Sequence, residues 1–163
     1  MTGIPPELEL RPLRVEDEAS FIAAVRAFKQ SDPDWDFAFQ FDPEEDFPAY
    51  VQRVENWIRG EDMPGHFVPN SFFVGVVEGE IVGRVSFRHE LNEFLATVGG
   101  HVGYGVVAAH RGKGIASEML RQTLPIAAEP LVVDPADVQL LSSRLRHVDQ
   151  ASAGVSAAQA SAP

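Results

Sequence analysis

From residue 7 onward the apolar positions change rhythm along the chain, and each change marks an element. Glu7 to Leu13 alternates weakly and predicts a short first strand ending at a proline-containing turn. Val15 to Gln30 predicts a helix, with Ala19, Ile22, Ala23, Val25 and Phe28 among the positions at helical spacing. Glu16, Asp17 and Glu18 fall in its first turn, where carboxylates suit the helix dipole. Residues 31–42, SDPDWDFAFQFD, are aromatic and acidic without that spacing, so they read as a loop laying Trp35, Phe37 and Phe39 against the body. Asp42-Pro43-Glu44-Glu45 then carries the cap, the first-position proline and the early acids of a second helix. Phe47, Tyr50, Val51, Val54, Trp57 and Ile58 recur along it, and Gly60 closes it.

Beyond a loop containing Pro64-Gly65, Ser71–Val77 and Ile81–Arg88 read as strands. Glu78-Gly79-Glu80 joins them as a hairpin. A strand over 100–107 and a helix over 112–128 complete the regular part. The order β, α, α, β, β, β, α predicts an α+β fold, a mixed and mostly antiparallel sheet flanked by helices, and excludes a doubly wound parallel sheet. After Pro130 the pattern changes. Residues 131–150 offer at most a short strand and a helix, and 151–163 are low-complexity text expected to be disordered. Residues 1–130 thus read as a single domain. With 163 residues and 11 Phe there is enough for one real core, and a second domain is not expected.

Charge narrows the partners. Against 24 Asp and Glu stand 13 Lys and Arg, a net charge of −11, and such a field repels nucleic-acid backbones. The same acidity favours cationic or amine partners. Cysteine is absent, which removes disulfides, thiolate zinc sites and a cysteine nucleophile. MTGIPPELEL lacks the marks of a signal peptide, and no apolar run is long enough to cross a bilayer, so a soluble cytoplasmic protein is expected.

One stretch concentrates the chemistry. His101 to Leu124, HVGYGVVAAHRGKGIASEMLRQTL, reads as a buried strand, a basic glycine-rich turn and an amphipathic helix. Such a turn aims bare backbone N–H groups at a point before a helix N-terminus, an arrangement that binds phosphate. A Walker A loop does not fit, because Val107 and Gly114 stand where a Gly and a Ser or Thr are required. Gly103-Tyr104-Gly105-Val106-Val107-Ala108 matches a dinucleotide-binding pattern, but inside a strand and without a βαβ unit. The bland alternative is an ordinary strand-to-helix turn with solvated Arg111 and Lys113. Cations at a helix start oppose the dipole, so their placement asks for a reason.

Arg111-x-x-Gly114-x-Ala116, set between a hydrophobic strand and a helix, resembles motif A of the GCN5-related N-acetyltransferase (GNAT) family. Residues 87–92 and 99–104 resemble a bacterial branch of predicted acetyltransferases within it. The likeness covers about residues 7 to 128, and the text beyond 130 does not share it. It implies an acetyl-CoA-dependent N-acetyltransferase acting on a primary amine, small or peptidic, by direct attack in a ternary complex. It also implies that backbone N–H groups of Arg111, Gly112, Lys113, Gly114, Ile115 and Ala116 hold the pyrophosphate, with the Ser117 hydroxyl beside them. Backbone groups of Tyr104, Gly105 and Val106 would meet the pantetheine amides, and one would polarise the thioester carbonyl.

The acceptor amine needs a base. Glu90, Glu93 and His101 fall near the acceptor end of the predicted sheet, and Glu90 and His101 are the candidate general bases. Against them stand a solvated hairpin carboxylate and a hydrogen-bonded structural histidine. His66, His110 and His147 are scattered, and no metal-ligand spacing is present. Tyr50 and Tyr104 are the only tyrosines, and neither is assigned as the proton donor. The runner-up function is a degenerate, non-catalytic acyl-CoA-binding domain. An interaction module built on the aromatic loop comes third.

Overall fold

A computed structural model describes residues 7–63, 65, 67–89 and 102–127. Its strands are β1 (Leu8–Pro12), β2 (Asn70–Val77), β3 (Glu80–Arg88) and β4 (Val102–Val106). Its helices are α1 (Glu18–Ser31), α2 (Phe47–Asn56) and α3 (Ile115–Ala127). The strands lie in the order β1-β2-β3-β4 with every neighbour antiparallel, so the mostly antiparallel α+β expectation holds for the described residues. A further strand after residue 130, the divergent 131–150 segment and the 151–163 tail lie outside them.

Two predicted boundaries move, each for a physical reason. The second helix starts at Phe47 and not at Pro43. Asp42 caps only an isolated turn, accepting the Glu44 N–H on its carboxylate and the Glu45 N–H on its carbonyl. Asp46 then caps the helix, its Oδ2 accepting the Ala49 N–H at 3.1 Å. Both acids have cap chemistry, and burial of Phe47, Tyr50, Val51 and Val54 on one stripe selects the second. The helix at the basic turn begins at Ile115, because Gly112 (φ 76°) and Gly114 (φ 78°) take the left-handed conformation and cannot be helical.

Burial corrects the predicted faces too. In α1 the buried stripe is Phe21, Ala24 and Phe28, while Ala19 and Ala23 lie exposed. After α2 the chain tightens into a 3-10 turn (Trp57–Arg59) that buries Trp57, turns Ile58 to solvent and ends at left-handed Gly60. The hairpin forms as expected, with Glu78 (φ 51°) and Gly79 (φ 80°) making the tight two-residue turn that matches strand twist.

The sheet separates two cores. One face carries Phe72, Val74, Val76 and Ile81 under α1, α2 and the aromatic loop. Phe21 sits at its centre, with ring contacts to Phe37, Phe41, Phe47, Tyr50 and Phe72. The other face carries Val77, Val82, Val85, Phe87, Val102 and Val106 under Ile115, Ala116, Met119 and Leu120 of α3. Gly75 and Gly83 make the bed for Met119: a Cβ on Gly83 would fall 2.9 Å from Met119 Cε and 2.8 Å from the Gly105 carbonyl oxygen. At the outer edge, Gln122 of α3 pairs with β1 like a strand. Its Oε1 accepts the Leu10 N–H at 3.0 Å and its Nε2 donates to the Leu8 carbonyl at 2.9 Å.

Candidate active site

The turn between β4 and α3 is built by short backbone bonds. The Val107 N–H donates to Val82 at 2.8 Å, continuing the β3–β4 ladder by one residue. A 3-10 turn over Ala108–His110 follows, in which the His110 N–H donates to Val107 and the Arg111 N–H to Ala108. Two left-handed glycines then swing the chain into α3. The bond from the Glu118 N–H to the Gly114 carbonyl (3.1 Å) opens the helix, so the N–H groups of Ile115, Ala116 and Ser117 precede any intrahelical acceptor. Ile115 and Ala116 bury their side chains against the sheet, which fixes the direction of those donors. Lys113 is exposed and Ser117 half-buried at the same mouth. Three N–H groups at the positive end of a thirteen-residue helix are an arrangement that can cradle an anion.

Arg111 stands apart from the cradle it was expected to join. Its backbone N–H is spent on Ala108, and its side chain turns inward. Nε donates to the Val106 carbonyl at 2.9 Å, and Nη2 pairs with Asp32 Oδ2 at 2.5 Å at the end of α1. The guanidinium also sits 5.3 Å over the Phe28 ring. This pairing holds the Asp32 carboxyl below its ordinary range. Arg111 therefore ties the turn to α1, and that tie answers why a cation sits at a helix start.

Along β4 the ladder sorts the three expected pantetheine residues. In an antiparallel pair the backbone polar groups point alternately to the neighbour and away. Val107 bonds Val82, so Gly105, paired with Arg84, turns its groups to β3, whereas Tyr104 and Val106 turn theirs outward. Gly105 serves packing instead: a Cβ there would fall 2.7 Å from Trp35 Cη2 and 3.1 Å from Phe28.

Two constellations escaped sequence reasoning. Arg84 of β3 is wholly buried, its Nε donating to the Phe37 carbonyl (2.9 Å) and its Nη2 to the Asp36 carbonyl (2.6 Å). Its guanidinium carbon lies 4.2 Å from the Trp35 ring centre and 4.6 Å from that of Phe39. Burial, reinforced by Arg88, lowers it to about 9, so it stays charged at neutral pH. The sequence reads Ile81–Arg88 as a strand and gives Arg84 no role in it; the aromatic loop covers that residue. The second is a contact between Ser71 Oγ and His89 Nε2 at 2.8 Å, joining the ends of β2 and β3. Its only sequence signal was a histidine at a strand end.

Tyr50 is excluded as an acid toward solvent. It is fully buried, donates to the Phe39 carbonyl at 3.0 Å, and burial drives its hydroxyl far above the usual range. Glu90, Glu93, His101 and His66 lie outside the described residues. Among the described residues no cluster of acids and histidines is placed to hold a metal, and no helix is long and apolar enough to cross a membrane.

Comparisons with known proteins bear on the family and the fold. The acetyltransferase (GNAT) domain model matches residues 7–158. The chain belongs to the GNAT family. The family's chemistry is acyl transfer from acyl-CoA to amine acceptors. The match runs well past residue 130, where the text by itself resembles the family least. Among solved structures, the chain is similar to RimJ of Mycobacterium smegmatis, determined in complex with CoA-disulfide, at 16% identity over 85% of this chain and 68% of that one, TM-score 0.56. It is similar also to the ribosomal-protein-S5-alanine acetyltransferase of Vibrio fischeri, at 18% identity over 88% and 82%, TM-score 0.54. A GNAT-family acetyltransferase from Streptococcus pneumoniae aligns at 14% identity over 85% and 83%, TM-score 0.53. At these identities the likeness is one of fold. No curated protein sequence matches the chain.

Proposed function

We propose that this GNAT protein transfers an acetyl group from acetyl-CoA to a primary amine by direct attack in a ternary complex. The observation that carries the proposal is the cradle: the N–H groups of Ile115, Ala116 and Ser117 behind left-handed Gly112 and Gly114. These donors suit a pyrophosphate, with Lys113 free to reach its outer oxygens. Arg111 acts through the backbone, holding the Val106 carbonyl and the end of α1 so that the turn keeps its shape. Along the outer edge of β4, Tyr104 and Val106 are the residues offered to the pantetheine amides. The Val106 N–H is nearest the cradle, and an outward donor of this strand would polarise the thioester carbonyl.

In the transfer, the amine nitrogen bonds to the acyl carbon, the carbon–sulfur bond breaks, and the thiolate takes up a proton. Glu90 and His101 are proposed to receive the proton the amine gives up. No cysteine is available for a covalent route. A cytoplasmic location, with acetyl-CoA at hand, belongs to the same proposal.

Calorimetric titration with acetyl-CoA, followed by thiol release across an amine panel, tests it. Binding with release is expected. Binding without release on any amine would favour a degenerate acyl-CoA-binding domain, and no binding would overturn both. Gly112→Val with Gly114→Val forces branched side chains into left-handed backbone. That double variant is expected to lose at least about 10-fold in acetyl-CoA affinity, roughly 1.4 kcal/mol or more. Unchanged affinity in a folded variant would show that the cradle is misassigned.

A further inference from the structure

Arg84 is a fully buried cation with no carboxylate in ion-pair distance among the described residues. Two of its nitrogens are satisfied by carbonyls, but Nη1 is buried without any hydrogen-bond partner, and among the described residues no acid lies within ion-pair distance. The Asp36 carboxyl, on an exposed residue, acts on it only from farther off. A charge left in that state is expensive to keep, and the cost is normally met by a counter-charge. Trp35, stacked on the same guanidinium, holds a second orphan: its Nε1 is also buried without a partner.

The position of this pair says what it serves. Arg84 is the cross-strand partner of Gly105, and the Trp35 ring covers both. The phosphate cradle packs on the α3 face of the sheet, so Arg84 and Trp35 approach β4 from the opposite face. Trp35 is only half-buried, on a loop whose outer side borders a cavity of about 400 Å³ lined by Arg26, Lys29, Asp34, Asp36, Phe37 and Trp35 itself. The ring has somewhere to go.

We propose that Arg84, together with the Trp35 indole N–H, anchors a carboxylate carried by the amine acceptor, the Trp35 ring moving off the guanidinium toward the cavity as the acid enters. This rests on the acyl-transfer proposal above and names the acceptor class. Two donors and one unanswered positive charge between aromatic rings suit a planar, singly charged carboxylate better than a phosphate, which asks for more donors. The local charge thereby overrides the global one: a chain of net charge −11 selects an acceptor with an acid group.

The test compares α-amino acids and acidic amines with their amides, which keep the size and plane of the acid but remove its negative charge and one acceptor oxygen. Binding to the full chain is followed by calorimetry and tryptophan fluorescence in the presence of CoA. At least one acid is expected to bind about 10-fold or more tighter than its amide, with a change in Trp35 emission. Arg84→Met is expected to bring that ratio close to one while CoA affinity stays, and Arg84→Lys to restore part of it. Should the Met variant fail to fold, Trp35→Phe keeps the ring and removes the donor, and a several-fold fall in the ratio is expected. Equal binding of acids and amides, or a ratio indifferent to both substitutions, would overturn the anchor while leaving acyl transfer standing. Loss of CoA binding in the unmodified protein would overturn both.

Discussion

On the α1–α2 face of the sheet the core is aromatic, with rings of Phe21, Phe37, Phe39, Tyr50, Trp57 and Phe72 meeting tilted or edge to face, and Phe39 and Phe72 beside a buried guanidinium. On the α3 face it is mostly aliphatic, with valines, Leu120 and Met119 laid over two glycines and Phe87 among the few rings. The contrast follows from what each face must hold. Helix α3 lies close to the strands because glycines admit it, and that closeness brings its N-terminal donors beside β4. The opposite face is filled by a loop, and a loop buried against a sheet leaves carbonyls that need donors. Arg84 supplies them for Asp36 and Phe37. One face thus sets where backbone N–H groups gather at a helix start, the other where side-chain charge meets aromatic surface.

Truncation on the aromatic face should cost the most. Phe21→Ala, which empties the centre of the ring cluster, is expected to destabilise by about 3–5 kcal/mol in denaturant unfolding. If the two faces are independent, the folded fraction should still bind acetyl-CoA with unchanged affinity. A lost affinity would show that the aromatic core also shapes the cradle. Overpacking on the α3 face comes next. Gly83→Val should cost about 1–3 kcal/mol, since its Cβ meets both Met119 and the Gly105 carbonyl. Met119→Ala should relieve Gly75→Ala, whose nearest obstruction is the Met119 sulfur, but not Gly83→Val, whose obstruction is partly backbone.

Acid distinguishes the ends of the molecule. Burial presses on Asp17, yet its bidentate bonds from Arg11 (2.7 and 2.8 Å) and the Arg14 N–H leave it below the usual carboxylate range, and Asp32 is lowered by Arg111. A carboxyl lowered on folding stabilises above its unfolded pKa, and that stabilisation is lost as pH falls through the folded value. The melting temperature should therefore decline from about pH 5 downward, and Asp17→Asn should flatten the decline at a cost of about 1–3 kcal/mol at neutral pH. An equally steep acid decline in Asp17→Asn would place the acid sensitivity elsewhere. The smallest effect is at the sheet edge. Gln122→Ala should cost about 1 kcal/mol and speed hydrogen exchange of the Leu10 amide, which Gln122 accepts.

The glycine turn before α3 was legible because it is local. Glycine spacing, a helix signal and the strand before it lie within two dozen residues, and left-handed backbone at Gly112 and Gly114 is a property glycine carries with it. The hairpin at Glu78-Gly79 was legible for the same reason. The role of Arg111 was not, since Asp32 is 79 residues away and only the packing of α1 against the end of β4 brings them together. The stripe of α1 was misphased because small apolar residues ring that helix, and periodicity alone does not choose among them.

What the sequence determined by itself was the set of elements, their α+β order and the glycine turn before α3, all encoded by contacts within a few residues. The tertiary structure decided which of two capping acids starts α2, which backbone groups of β4 face outward, and that the polar side of β3 is covered. Those outcomes depend on how distant segments share a surface. The charge of Arg84 is the clearest instance: the sequence shows only an arginine within a strand, and the aromatic loop folding over the sheet turns it into a buried cation with no carboxylate in ion-pair distance among the described residues.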